Sequence, residues 1–250
     1  MKKTLGIPTR LSHIWIGPLP PPRAWMQTWI DHHSSWEYTL YDNHFLNSFH
    51  FKTQKQIDEY LKRGMYAGVA DLMRLEILYE FGGLMPGADS ICLKNTDTLF
   101  LEEKLYTVYE NEFVRGDLVS PIQAAPPKSS FIAEMIDRLS KINPDDLDEP
   151  WISTGNLFTA EIIKEIQPEI TIFPSHYFIP VHYTGICYTG TDTVFAKQLF
   201  GTTHSSYKKD LNILDRLLLS YKEREAKHYK KRQMSKIKTQ KANLFKNTYK

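Results

Sequence analysis

GVADLMRLEILYEFGGLMPGADS, residues 68–90, is the stretch from which the fold can be read. From Tyr66 to Phe81 apolar residues fall on nearly every face, with Val69, Leu72, Met73, Leu75, Ile77 and Leu78, so the run predicts a mostly buried helix. Asp71 and Arg74 interrupt it three residues apart, on one helical face. Charges in an apolar helix need a partner or a ligand, so the two read either as an intrahelical pair at the rim of the core or as binding groups. Gly82-Gly83 suits a left-handed C-cap, after which Leu84-Met85 leads into the small-residue loop Pro86-Gly87-Ala88-Asp89-Ser90. A buried helix, a sharp turn and an exposed acidic loop in such close succession predict a site.

Working outward, Ile7–Gly17 reads as a first buried strand with a proline-rich exit from Pro18 to Pro22, Trp25–His33 as a helix, and Trp36–Tyr41 as a second strand ending at Asp42, a turn cap. Strand, helix, strand suggests a nucleotide-binding α/β half. Beyond the acidic loop, Ser90–Leu93 and Leu105–Tyr109 predict short strands, with a turn or short helix over Asn95–Leu101 between them. Glu110 and Asn111 follow the second of these strands, at the end where open α/β sheets present ligand groups. Ser129–Ile142 predicts an amphipathic helix with a serine cap. Ser153-Thr154-Gly155-Asn156 precedes a helix over Leu157–Ile166, and reads either as plain capping or as a substrate contact from a helix N-terminus. Ile170–Phe173 predicts a strand that Tyr177–Pro180 extends past Pro174.

The 250 residues suffice for one substantial core, and 42% hydrophobic with 24% charged residues is an ordinary globular composition. No continuous apolar stretch precedes Pro8 and Arg10, so neither a signal peptide nor a membrane span is expected, and a cytoplasmic location follows. Cys92 and Cys187 are too few for a disulfide framework and are expected to be buried, inert thiols. The net charge of +2 hides an asymmetry. Residues 221–250 carry eleven Lys or Arg against two Glu, a net of +9, which leaves the first 220 residues at −7. The division expected is a body over 1–220 and a basic C-terminal helical tail over 221–250. The tail reads as a contact for an anionic membrane or as a solvated helix; an acidic body without a nucleic-acid motif argues against nucleic acid.

The 68–90 pattern resembles the DXD-containing sugar-transferase family, glycosyltransferase family 32, whose usual form is A/S-x-D-x-x-R-x-x-x-L-x-x-x-G-G-x-Y-x-D-x-D. Ala70 or its neighbour, Asp71, Arg74, Leu78, Gly82, Gly83 and Asp89 fall at matching positions, while Gly87 stands where the first acid belongs. The opening Ile7, Pro8, His13, Ile14 and Trp15 has the flavour of the family's I-P-K-x-I-H-x-x-W start, and His204, Ser206 and Tyr207 look like its C-terminal H-x-x-x-S-W segment, with tyrosine replacing tryptophan.

The resemblance implies a GT-A type, Rossmann-like mixed α/β sheet flanked by helices. It implies a hexosyltransferase that moves a sugar from a UDP- or GDP-sugar to a glycan or glycolipid with retention, and with Mn²⁺ or Mg²⁺ on the diphosphate. Carried over by position, Asp89 and His204 are the expected metal ligands, and Asp89, Asp71 and Arg74 the catalytic set. Ile14, Trp15, Asp71, Arg74, Ala88, Asp89, Asn156, Ser206 and Tyr207 are the expected donor contacts. Gly87 would cost the ribose contact, so the alternative is a weak or inactive member that binds nucleotide sugar or glycan.

Overall fold

The computed structural model describes the backbone of residues 5–201 and 213–248, and within them all side chains except those at 115, 213–219, 221–222 and 240–248. The chain begins with β1 (Arg10–Ile14), α1 (Arg23–His32) and β2 (Glu37–Tyr41), the expected strand, helix, strand unit, with β1 and β2 parallel neighbours. Asp42 caps α2 (Asn43–Ser48), its Oδ1 accepting from the backbone N–H of His44 and Phe45. Next come α3 (Gln54–Lys62), to which the sequence analysis gave no assignment, and α4 (Tyr66–Phe81), the predicted helix residue for residue.

Helix α4 packs between α3 and α6 (Ser130–Lys141) and buries Val69, Leu72, Met73, Leu75, Ile77 and Leu78 in the larger core. An all-round apolar surface is what a helix covered on several sides requires. Ser129 caps α6 as expected, its Oγ accepting from Ile132 N–H. The α4 helix stops at Gly82, whose φ of 63° is positive but whose ψ of −164° is extended, so the chain leaves straight into β3 (Gly83–Leu84). Gly83 has φ 98°, and a Cβ there would sit 2.5 Å from the Arg10 carbonyl oxygen; only glycine lets β3 lie against β1.

The remaining elements are β4 (Ser90–Cys92), β5 (Leu105–Val108), the single turn α5 (Glu112–Arg115), β6 (Ala124–Ala125), α7 (Pro150–Ser153), α8 (Asn156–Ile166), β7 (Ile170–Phe173), β8 (Ala196–Gln198) and α9 (Ile213–Thr248). Six strands form one mixed sheet in the order β2-β1-β3-β6-β5-β7, in which β6 runs antiparallel to both its neighbours; β4 and β8 form a separate antiparallel pair. The architecture is the mixed α/β sheet flanked by helices that the sequence led us to expect. A second core of Trp29, Trp36, Phe100, Tyr106, Phe173 and Phe178 lies apart from the first.

Two expectations need correction. Tyr177–Pro180 does not extend β7, because after Pro174 the chain turns through a 3-10 helix, Ser175–Tyr177, and Ser175 N–H donates to the Glu112 carboxylate at 3.2 Å. Cys92 is buried, its thiol pushed up to about 12 by desolvation, but Cys187 is exposed. The basic tail is helical, as expected, and belongs to α9. That helix is also docked: Tyr229 Oη donates to Glu59 Oε2 at 3.0 Å, Lys230 Nζ pairs with Glu149 at 3.0 Å, and Gln233 and Ile237 are buried. Positions 226, 229, 230, 233 and 237 form one helical stripe toward the body, leaving Arg224, Lys227, Lys231, Arg232, Lys236 and Lys238 exposed.

Candidate active site

A cavity of about 510 Å³ opens where the chain leaves β3 and β5 and enters β6, the edge at which the parallel strands end. Asp71 and Arg74 reach it from α4, Gly87 and Asp89 from the loop after β3, and Glu110 from the end of β5. Asn156, the first residue of α8, and Gln198, the last of β8, add amides to the lining, beside Ser90, Ser120 and Gln123. Aromatic walls come from Trp29, Trp151, Phe178, Tyr183 and Phe200.

Asp71 and Arg74 do not close on each other. Asp71 Oδ2 accepts from Thr154 Oγ1 at 3.1 Å, and Arg74 Nη1 donates to the carbonyls of Met85 and, at 3.4 Å, Ile122. Thr154 is thereby spent on Asp71 and on the Pro150 carbonyl, and Ser153 Oγ accepts from Asp148 N–H, so neither caps α8. Burial pushes the Asp71 carboxyl up to about 7, against the pull of Arg74 and Thr154. Burial also lowers Arg74 from its ordinary value to about 10, while the charges of Asp71 and Asp89 work to raise it. Arg74 remains a cation across the neutral range, and it stitches the loop after β3 to the chain entering β6.

Asp89 is held from both sides. Its Oδ1 accepts from Gln198 Nε2 at 2.6 Å, its Oδ2 from Gly201 N–H at 3.1 Å, and its carbonyl from Leu199 N–H at 2.8 Å. Across the cavity Glu110 accepts from Asn156 Nδ2 at 2.9 Å through Oε2, and lies 3.2 Å from His182 Nε2 through Oε1. His182 Nδ1 faces Thr184 Oγ1 at 2.7 Å. The lining thus carries three carboxylates, Asp71, Asp89 and Glu110, against the single guanidinium of Arg74.

The structure therefore gathers Asp71, Arg74, Asp89 and Asn156 of the expected set, together with Glu110. Ala88 is buried within the same loop without lining the cavity. Ile14 and Trp15 do not line it either: Ile14 is a core residue, and the Trp15 indole N–H donates to the Leu19 carbonyl at 2.6 Å. Asn111 turns to local capping, its Oδ1 accepting from Phe113 N–H. His204, Ser206 and Tyr207 lie outside the described residues. The tryptophans of the cavity are Trp151 and Trp29, the latter fully buried, donating to Ser90 Oγ at 3.0 Å and stacked on Phe178 at 6.5 Å. His13 sits edge-on to Trp29 at 6.5 Å and is held neutral, its pKa lowered to about 3 by burial and then by Arg74. Sequence reasoning missed Gln198 and His182, which belong to no spacing pattern.

Residues 23–106 match the model of the glycosyltransferase sugar-binding region containing the DXD motif. The likeness to that family's region covers this segment. The matched segment runs from α1 to β5 and supplies Trp29, Asp71, Arg74, Gly87 and Asp89 to the cavity; Glu110, Asn156 and Gln198 lie beyond it. No curated protein matches the chain in sequence. Among solved structures, PaToxG glycosyltransferase is similar at 13% identity, over 64% of this chain and 70% of that one, with a TM-score of 0.48.

Among the described residues no three His, Cys, Asp or Glu side chains are placed to hold a metal ion together. Asp89 alone offers a carboxylate in the DXD loop. That fits a divalent cation of the Mg²⁺ or Mn²⁺ kind only when it arrives with substrate, since such ions are commonly held by one or two carboxylates plus the oxygens of a phosphate group. No described helix is long and apolar enough to cross a membrane.

Proposed function

We propose that this glycosyltransferase-family protein moves a hexose from a UDP- or GDP-sugar to a glycan or glycolipid acceptor, with retention at the anomeric carbon and a divalent cation on the donor diphosphate. The observation that carries this reading is the convergence of Asp71, Arg74 and Asp89 with Asn156 on one cavity. A cavity with three carboxylates and one guanidinium repels a diphosphate, and a bound divalent cation would neutralise that charge and stabilise the leaving group. Asp89 and the diphosphate would hold the cation, with His204 the further expected ligand. Arg74 adds a fixed positive charge near the developing anion. Asp71 would accept from sugar hydroxyls, and Glu110, braced by Asn156 and His182, would meet the acceptor. Trp151, 45% exposed, and Tyr183, 36% exposed, supply aromatic surface to a sugar ring.

Calorimetric titration with UDP and GDP tests this. One nucleotide should bind about tenfold more tightly with Mn²⁺ than without, a difference of about 1.4 kcal/mol. A donor panel should then give hydrolysis or transfer. Binding without any turnover would favour the alternative of a sugar-binding member crippled at Gly87, and no binding of either nucleotide would sink both.

The basic face of α9 suits an anionic membrane at about 1 kcal/mol per exposed Lys or Arg near the surface. The full chain should cosediment with phosphatidylserine vesicles at low salt and be released as ionic strength rises. Equal sedimentation with phosphatidylcholine vesicles would remove that assignment.

A further inference from the structure

Gly87 is a glycine that its backbone does not demand. Its φ lies outside the left-handed region, unlike those of Gly82 and Gly83, so the residue is small for a reason of space. A Cβ at this position would stand 3.1 Å from Asp89 Oδ1, 3.2 Å from Gln198 Oε1 and 3.6 Å from Gln198 Nε2. The volume beside the missing acid is already filled by the Gln198 carboxamide.

We propose that Gln198 takes over the position of the absent first acid, fixing Asp89 and presenting a neutral acceptor to a hydroxyl of the donor nucleotide sugar. The β4–β8 pairing sets Gln198 opposite Ser90, one residue past Asp89, and Leu199 N–H donates to the Asp89 carbonyl, so the two side chains share a fixed frame. Gln198 Nε2 donates to Asp89 Oδ1 at 2.6 Å while Gly201 N–H donates to Oδ2 at 3.1 Å, which sets the rotamer of the carboxylate and leaves each oxygen further acceptor capacity. With Nε2 so committed, Oε1 is the atom with which Gln198 accepts a ribose or sugar hydroxyl. An amide does this without the second negative charge that a paired acid brings. The site therefore keeps the hydroxyl contact while holding the cation through one carboxylate and the diphosphate. Gln198 is thus a positioning residue for Asp89 and a contact to the donor, and Gly87 and Gln198 act as a compensating pair.

This inference rests on the donor-site reading above, and the test separates the two. UDP and GDP are titrated with Mn²⁺ into the wild-type chain and into Gln198→Ala, Gln198→Glu, Gly87→Asp and the double variant Gly87→Asp/Gln198→Ala, each checked for folding by thermal melt. Gln198→Ala should weaken nucleotide binding about tenfold or more. Gln198→Glu, which keeps the length and adds a charge, should bind with a steeper Mn²⁺ dependence than wild type. Gly87→Asp alone should bind worse than wild type, because the new carboxylate meets both Asp89 and the amide. The double variant should recover to within about threefold of wild type, a rescue that a merely structural glutamine would not give. Wild-type binding with both Gln198 variants unchanged would overturn this inference alone, as would a Gly87→Asp gain that owes nothing to shortening Gln198. No nucleotide binding by the wild-type chain would overturn the donor-site reading and this inference with it.

Discussion

Asp89→Ala is expected to lose Mn²⁺-dependent nucleotide binding by about 100-fold or more, about 2.7 kcal/mol, and to lose sugar transfer with it. The size follows from what else the loop holds. Gly87 has no side chain, Ala88 is buried, and Ser90 Oγ is occupied between Trp29 and the Gly87 carbonyl, so Asp89 is the one carboxylate that this loop offers. The substitution also strips partners from Gln198 Nε2 and Gly201 N–H, which should lower stability by about 1–2 kcal/mol. The two effects separate cleanly in a titration: residual nucleotide binding by Asp89→Ala should no longer respond to EDTA. Binding that stays metal-dependent in the variant would move the cation elsewhere.

Asp71→Asn is expected to abolish most transfer while making the protein more stable above pH 7. The folded state raises the Asp71 carboxyl from 3.8 to about 7, so it binds the proton more tightly than the unfolded chain does. Stability from this group is complete below about pH 4 and is lost as pH rises through 7. Asparagine keeps an acceptor for Thr154 Oγ1 and removes the buried charge, a gain on the order of 2 kcal/mol at pH 8. His13 works in the opposite direction. Its folded pKa is lowered from 6.5 to about 3, so its contribution is present above pH 6.5 and lost as pH falls toward 3. In the wild-type protein the two slopes oppose each other between about pH 4 and 6.5. Asp71→Asn should therefore expose an acid lability of up to about 1.4 kcal/mol per pH unit, readable in urea midpoints across that range. Wild-type transfer should fall on acidification below about pH 7, as Asp71 takes up its proton. A variant with unchanged stability at pH 8 would show that Asp71 carries no buried charge.

The sequence announces α4 because a sixteen-residue apolar helix has a long signal, and it announces the loop after it because two consecutive glycines can take the positive φ that ends a helix sharply, as both do. Asp71, Arg74 and Asp89 are legible for the same reason: they are spaced along one continuous segment. β3 and β6, at two residues each, are too short to show any alternation, and they are held by pairing across the sheet. Gln198 enters the cavity from β8 and His182 stands behind Glu110, both remote in sequence from the 68–90 segment, so nothing local marks them. Trp15 carries a motif-like position and goes to the Leu19 carbonyl, while Trp29, which looks like an ordinary helix residue, reaches the cavity wall because α1 packs on β4. Arg74 is the instructive intermediate. Its position is legible, but its bonds to Met85 and Ile122 depend on where the chain returns forty-eight residues later.

The antiparallel strand β6, two alanines wide, joins β2-β1-β3 to β5-β7, and the chain that enters it lines the cavity through Gln123. Asp71, Arg74 and Asp89 come with the first group of strands, and Glu110 and Asn156 with the second. The family segment 23–106 includes neither β1, β6 nor β7. Cut out alone, it would carry its acidic loop into solvent without an opposing wall or the strand that seats Gly83. The matched segment is consequently no portable module: modularity in this protein begins at the complete sheet, and a graft or truncation must respect that unit.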